Sequence, residues 1–225
     1  MADLRTVLAQ LNSRISSACL AAGRQPDSAT LLAVSKTQPA DALRAASQQG
    51  QRHFGENYLQ EALVKMDALT DLDLCWHFIG PIQSNKTRAI AERFAWVHSV
   101  DRLKIAQRLN DQRPPDLPPL NVLIEVNLDN EASKQGVTPT EVATLATAIT
   151  TLPNLRLRGL MAIPSAHSQD HNRAAFEKLA MTLAALPPTM GADQLSMGMS
   201  DDFETAIACG ATIVRIGTAL FGARR

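Results

Sequence analysis

The feature that most constrains this 225-residue chain is a strict alternation of short apolar runs and longer helix-like stretches. The runs fall at 30–35, 52–56, 75–79, 95–100, 120–127, 155–163, 194–197 and 212–217, about 26 residues apart on average. Between them, 39–49, 57–69, 85–92, 102–112, 139–151, 170–186 and 201–209 read as helices, several with plausible caps at Pro39, Asp101 and Thr138-Pro139. A helix between every pair of strands implies parallel pairing, because an antiparallel hairpin needs no crossover. Eight such units close into a (β/α)8 barrel, and the length is near the lower limit for that fold. An open doubly wound sheet would want Gly-x-Gly-x-x-Gly after the first strand, where this chain has VSKTQP (34–39). Ahead of the barrel, residues 2–23 place Leu4, Leu8, Leu11, Ile15, Ala18 and Ala22 on one face of a helix that Gly23 and Pro26 end. The expectation is one α/β domain over 1–225, an eight-stranded TIM barrel with an added N-terminal helix.

Composition narrows the function classes. Lys and Arg total 22, as do Asp and Glu, so the chain lacks the basic excess of a nucleic-acid or membrane-surface binder. Its 34 Ala and 28 Leu suit helices packed closely on a sheet. Cys19, Cys75 and Cys209 lie far apart and form no Cys-x-x-Cys, which favours a reducing compartment. No secretory h-region or membrane-length apolar stretch is present. A cytoplasmic protein with no nucleic-acid and no membrane partner is expected.

Two cations stand out. Of six lysines, Lys36 alone ends an apolar strand, after Leu31-Leu32-Ala33-Val34-Ser35; Lys65, Lys104 and Lys178 fall in helix-like stretches among polar neighbours. Leu32, Val34 and Lys36 share a face, which puts Lys36 at the rim where barrel active sites lie. Partial desolvation there lowers an amine's pKa and lets it attack a carbonyl, whereas the bland alternative is a lysine reaching out to water. Arg215 interrupts the eighth strand, which pairs with the first in a closed barrel, so both cations come to one mouth. Gly217-Thr218 and the loop Ser196-Met197-Gly198-Met199-Ser200 offer the small residues and hydroxyls of a phosphate cradle after strands seven and eight. A carbonyl-trapping lysine, a phosphate cradle and a buried arginine are the parts of a pyridoxal phosphate site. Asp201-Asp202 would repel a phosphate if turned inward; they are expected to cap the next helix, with Glu204.

VSKTQP (34–39), FGENYLQEA (54–62), WHFIGPIQSNK (76–86), HSVDRLKIAQRLN (98–110), RLRGLMAIP (156–164) and the segment from LSMGMSDD to VRIGTALFGAR (195–224) closely resemble the YggS/PROSC family of pyridoxal phosphate homeostasis proteins. The resemblance runs over nearly the whole chain. It implies a fold type III barrel like the alanine racemase N-terminal domain, with pyridoxal 5'-phosphate as a Schiff base (internal aldimine) on Lys36. It places Gly217, Thr218 and Ser200 on the phosphate, Arg215 toward the pyridine nitrogen, and Asn57, His77, Met161 and Ser196 against the ring. Gln38 stands where many relatives carry a second lysine. An arginine facing the ring nitrogen disfavours its protonation and weakens the ring as an electron sink. The length leaves no room for a second catalytic domain, and Tyr58, the only tyrosine, begins a helix. The resemblance therefore implies a monomeric cofactor carrier or regulator in vitamin B6 homeostasis, in transient contact with pyridoxal phosphate-dependent apoenzymes, rather than an enzyme.

Rival readings are a racemase of the alanine racemase type, a Schiff-base aldolase, for which only Glu56 and Glu125 stand near strand ends, and a metal hydrolase. His53, His77 and His98 fall on consecutive strands, but no His-x-His or carboxylate ligand accompanies them, so no metal is expected. His167 and His171 sit in a polar stretch that reads as solvated, and Met161, Met197 and Met199 read as pocket or core filling.

Overall fold

The computed structural model describes residues 3–129, 131, 134–164 and 169–222. Its eight strands are β1 Thr30–Val34, β2 His53–Glu56, β3 Cys75–Phe78, β4 Trp96–Val100, β5 Leu120–Glu125, β6 Leu155–Met161, β7 Gln194–Ser196 and β8 Ile213–Ile216. They pair in parallel, in chain order, and β8 closes on β1 through Thr30↔Ile213, Leu31↔Val214, Leu32↔Arg215 and Ala33↔Ile216. The helices are α1 Leu4–Ala21, α2 Ala40–Gln48, α3 Leu59–Ala68, α4 Thr87–Arg93, α5 Leu103–Gln112, α6 Val142–Thr150, α7 Gln169–Ala184, α8 Phe203–Ala208 and α9 Thr218–Phe221. A 3-10 turn at Pro188–Met190 precedes β7. This is the (β/α)8 barrel that the alternation predicts, with strand bounds shifted by one or two residues.

Strand parity divides the side chains between two layers. Leu31 and Ala33 of β1, Phe54 of β2, Phe78 of β3 and Val122 and Ile124 of β5 join the large apolar layer between strands and helices. The alternate residues point inward, and here the interior is unusually polar: His77, His98, Ser196 and Arg215 are all buried. Outside the barrel, α1 buries Leu8, Leu11, Ile15 and Cys19, each aliphatic side chain contributing about 1.5–3 kcal/mol. Arg14 fixes its position, donating from Nε to Glu204 of α8 at 2.8 Å and lying 4.6 Å from the Phe203 ring centroid.

Several capping expectations are corrected. Asp202, not Asp201, is the N-cap residue of α8, and its side chain makes no cap bond. One Asp202 oxygen accepts from the Met199 N–H at 2.7 Å and the other from Asn172 Nδ2 at 2.8 Å, while Glu204 is taken by Arg14. Asp101 pairs with Arg102 instead of capping α5. Thr138 binds the Glu141 carboxylate through N–H and Oγ1, so the chain turns before α6 begins at Val142. The proline-rich stretch entering β5 is stapled by Arg113, which donates to the carbonyls of Pro118, Ala91 and Phe94.

Candidate functional site

Lys36 lies two residues beyond the end of β1, in a turn rather than on the strand. That turn is strained at Thr37, a non-glycine residue with φ 65°, a conformation that persists only where surrounding structure imposes it. A buried charged group beneath it does so. Lys65 of α3 donates to the Ser35 carbonyl at 2.6 Å, to Glu56 Oε1 at 2.8 Å and to Glu61 Oε1 at 2.5 Å. Glu61 Oε1 also accepts the Thr37 N–H at 2.5 Å, and Ser35 Oγ donates to Glu56 Oε1 at 2.5 Å. Lys65 is therefore buried and structural. Glu56 follows outward-facing Phe54 by two residues, so it points away from the barrel interior, into this cluster. Burial raises the Glu56 pKa, against the opposing pull of Lys65 and Ser35.

Above the turn a cavity of about 430 Å³ opens at the C-terminal ends of the strands. Its walls include Lys36, Asn57, Ser200, Arg215, Gly217 and Thr218, six of the nine residues expected in the site. Ser200 Oγ accepts the Ala219 N–H at 3.3 Å, tying the loop after β7 to the start of α9. Asn57 Oδ1 is buried with no hydrogen-bond partner among the described residues. Gly217 packs closely on β1, where an added Cβ would stand 3.3 Å from the Val34 carbonyl oxygen and 3.4 Å from Val34 Cβ. Exposed Asp201 also lines the cavity, whereas Asp202 is turned into its own hydrogen bonds. A groove of similar size between α1 and α8 is flanked by Arg14 and Glu204, which are already engaged with each other.

His77, Met161 and Ser196, also expected around the cavity, do not line it. All three are buried, Met161 paired in register with Ser196, and His77 and Ser196 belong to a hydrogen-bonded chain. Arg215 Nη1 donates to the Ser196 carbonyl at 2.6 Å and to Ser196 Oγ at 2.8 Å, and Nη2 donates to the Ala162 carbonyl at 2.9 Å. Ser196 Oγ lies 2.9 Å from His98 Nδ1, His98 Nε2 lies 2.9 Å from His77 Nδ1, and His77 Nε2 lies 3.0 Å from His53 Nδ1. Among the described residues His98 Nδ1 is the neighbour able to accept the Ser196 hydroxyl hydrogen, and assigning it so sets the direction of the chain. Each imidazole then carries its hydrogen on Nε2 and passes it to the next Nδ1. Desolvation holds His77 and His98 well below the usual histidine pKa, with His98 and His53 reinforcing it at His77 and Arg215 at His98. Trp96 stacks on His77 with centroids 5.4 Å apart and an interplanar angle of 10°.

Arg215 is brought down to about 10 by burial, opposed by Glu125 and Asp202, and stays charged at neutral pH. Glu125 is pushed up to about 7 by desolvation and by Asp101, with Arg215 pulling the other way. Met199, half-exposed, is a cavity residue, while Met161 and Met197 are buried. His171 bonds Asp129 Oδ1 at 3.1 Å, and His167 lies outside the described residues.

The arrangement has counterparts in known proteins. Residues 8–225 match the family model for the alanine racemase N-terminal domain. The chain is 60% identical over 225 residues to the pyridoxal phosphate homeostasis protein of Pseudomonas aeruginosa, covering all of this chain and 97% of that one. It is 52% identical over 229 residues to the protein of the same name from Escherichia coli K12, covering 100% and 98% of the two chains. Among solved structures, PipY of Synechococcus elongatus PCC7942 with PLP bound superposes with a TM-score of 0.87 and 38% identity over 98% of this chain and all of its own. Alanine racemase from E. faecalis superposes with a TM-score of 0.69 at 17% identity, over 99% of this chain and 59% of the racemase, and shares the fold.

Proposed function

Because this chain belongs to the pyridoxal phosphate homeostasis protein family, we propose that it binds pyridoxal 5'-phosphate at the barrel mouth and serves intracellular homeostasis of that cofactor. The observation that carries the proposal is the meeting of Lys36 and Arg215 on one cavity with Ser200, Gly217 and Thr218. One feature fits the cofactor: the buried Asn57 Oδ1, on the cavity wall, lacks a hydrogen-bond partner among the described residues. When bound, the group supplies an aldehyde, which condenses with an unprotonated amine and loses water, and an anionic phosphate.

In this reading Lys36 Nζ makes the covalent attachment, while Ser200, Thr218 and the Gly217 and Thr218 N–H groups receive the phosphate. Asn57 meets a polar edge of the ring, and His77, Met161 and Ser196 support it from below. Arg215, held rigidly by Ser196 and Ala162, keeps a positive charge that disfavours protonation of a pyridine nitrogen set against it. That lowers the ring's capacity to stabilise a carbanion. The exposed Tyr58 is not among the cavity residues, and the one carboxylate among the described lining residues is the exposed Asp201. These features support a cofactor carrier without catalysis of its own, which we take to act as a cytoplasmic monomer in transient contact with apoenzymes. Mixing the protein with pyridoxal phosphate should produce a visible absorption band that Lys36→Ala abolishes, and D- or L-alanine should not racemise faster than with free cofactor. An unchanged band in Lys36→Ala would overturn the attachment; protein-dependent racemisation would restore the racemase reading.

A further inference from the structure

At the opposite end of the barrel from Lys36, three ligand-bearing side chains converge. The register sets His53, the first residue of β2, against Cys75, the first residue of β3, and His77 follows Cys75 on the same inward face. His53 Nδ1 and His77 Nε2 are 3.0 Å apart, Cys75 Sγ is 3.5 Å from His77 Nε2, and all three atoms lie within 4.8 Å of one another. We propose that His53, Cys75 and His77 form a binding site for a single thiolate- and imidazole-preferring metal ion of the zinc class, separate from the cavity at the mouth.

The spacings carry the argument. With Zn–N near 2.0–2.1 Å and Zn–S near 2.3 Å, the edges of a tetrahedral site are about 3.3 Å between nitrogens and about 3.6 Å between nitrogen and sulfur. The ring separation therefore has to widen by only a few tenths of an ångström as the ion replaces the hydrogen between the two imidazoles. His53 and Cys75 are half-buried, so the fourth position opens to water. The donor set of two imidazoles and one thiolate suits Zn²⁺ or Cu⁺ over Mg²⁺ or Ca²⁺. The outer shell is already built: metal on His77 Nε2 leaves the ring hydrogen on Nδ1, where His98 Nε2 accepts it at 2.9 Å, and Trp96 fixes the ring plane. Binding therefore reverses the hydrogen-bond direction along the chain, with His98 Nδ1–H now donating to Ser196 Oγ.

The proton balance is simple. Each histidine is neutral before and after, His77 and His98 both change tautomer from Nε2–H to Nδ1–H, and the Cys75 thiol gives its proton to solvent as the S–metal bond forms. A cysteine thiol is largely protonated at neutral pH and binds metal as the thiolate, so about one proton should leave for each ion taken up. Three cysteines far apart in sequence do not announce this site, because Cys75 and His77 meet His53 only through the β2–β3 register.

The test uses the full-length protein, reduced and free of pyridoxal phosphate, titrated with Co²⁺ as a spectroscopic stand-in for Zn²⁺. The expected result is a thiolate-to-cobalt charge-transfer band with tetrahedral visible bands, saturating at one equivalent and displaced by Zn²⁺. The charge-transfer band should vanish in Cys75→Ser and persist in Cys209→Ser, with circular dichroism confirming that both variants are folded. In His53→Gln, altered at a half-exposed ring, Zn²⁺ affinity by calorimetry should fall by more than about tenfold, the lower range for losing an outer-shell partner. If Cys75→Ser does not fold, the His53→Gln affinity and the proton count decide. Absence of the band in the wild-type protein, its survival in Cys75→Ser, or undiminished affinity in His53→Gln would overturn the site.

Discussion

Lys65→Met removes the cation that donates to Glu56 beneath the Lys36 turn. The side chains of Lys65 and Glu56 are 5% and 0% exposed, so neither partner can turn to water. Without the ammonium, Glu56 Oε1 keeps only Ser35 Oγ, and Glu56 Oε2 is already buried without a partner among the described residues. Removing one member of such a pair costs about 3–5 kcal/mol, chiefly the penalty of the charge left behind. For a chain of this size that lowers Tm by about 6–20 °C. The loss should also depend on pH. Glu56 already has a raised pKa through desolvation, and losing Lys65 raises it further. A carboxyl whose folded pKa exceeds its unfolded value contributes stability at low pH that is lost as pH rises through the folded value. The deficit of Lys65→Met should thus be larger at pH 8 than at pH 5, and Glu56→Gln/Lys65→Met should recover at least half of it. Urea unfolding followed by circular dichroism at the two pH values measures all three chains. A deficit below about 1 kcal/mol, less than the cost expected for leaving a charge buried and unpaired, would refute the reasoning. So would an equal deficit at both pH values.

Glu125 offers a second pH test. Its folded value of about 7 lies above the unfolded 4.5, so stability present below pH 4.5 is lost as pH rises through 7, by about 3 kcal/mol at about 1.4 kcal/mol per pH unit. Glu125→Gln should flatten the stability–pH curve between pH 5 and 8 by that order; curves that stay parallel to wild type would contradict it. Gly198→Ala should destabilise the loop after β7 by about 2–4 kcal/mol, read as a shift in the urea midpoint. The reason is that Gly198 has φ 90° and a Cβ there would stand 2.5 Å from Ala206 Cβ; a change under about 1 kcal/mol would mean the loop relaxes freely.

The barrel was legible because its signal is repeated eight times and each strand must bury its outward face. The mouth was legible for a related reason: Lys36 and Arg215 are cations that break or end apolar runs, and β8–β1 closure unites them. Lys65 was not legible, because a lysine between Val64 and Met66 on a helix gives no sign of a buried partner, and only the packing of α3 over Glu56 buries its ammonium. The depth of His77 and Ser196 was equally hidden. Residues inside a barrel sit in layers whose height follows from strand stagger, which a list of strands does not give. Caps failed where another partner outcompeted the helix N–H groups, a distant one as Arg14 is for Glu204 or a neighbour as Arg102 is for Asp101.

Attachment of pyridoxal phosphate to Lys36 is tested by borohydride reduction followed by peptide mapping. Protein incubated with pyridoxal phosphate, reduced and digested should carry a stable pyridoxyl phosphate label on the peptide containing Lys36, with Lys65 unlabelled in its buried cluster. Label on another lysine, or none at all, would contradict the account.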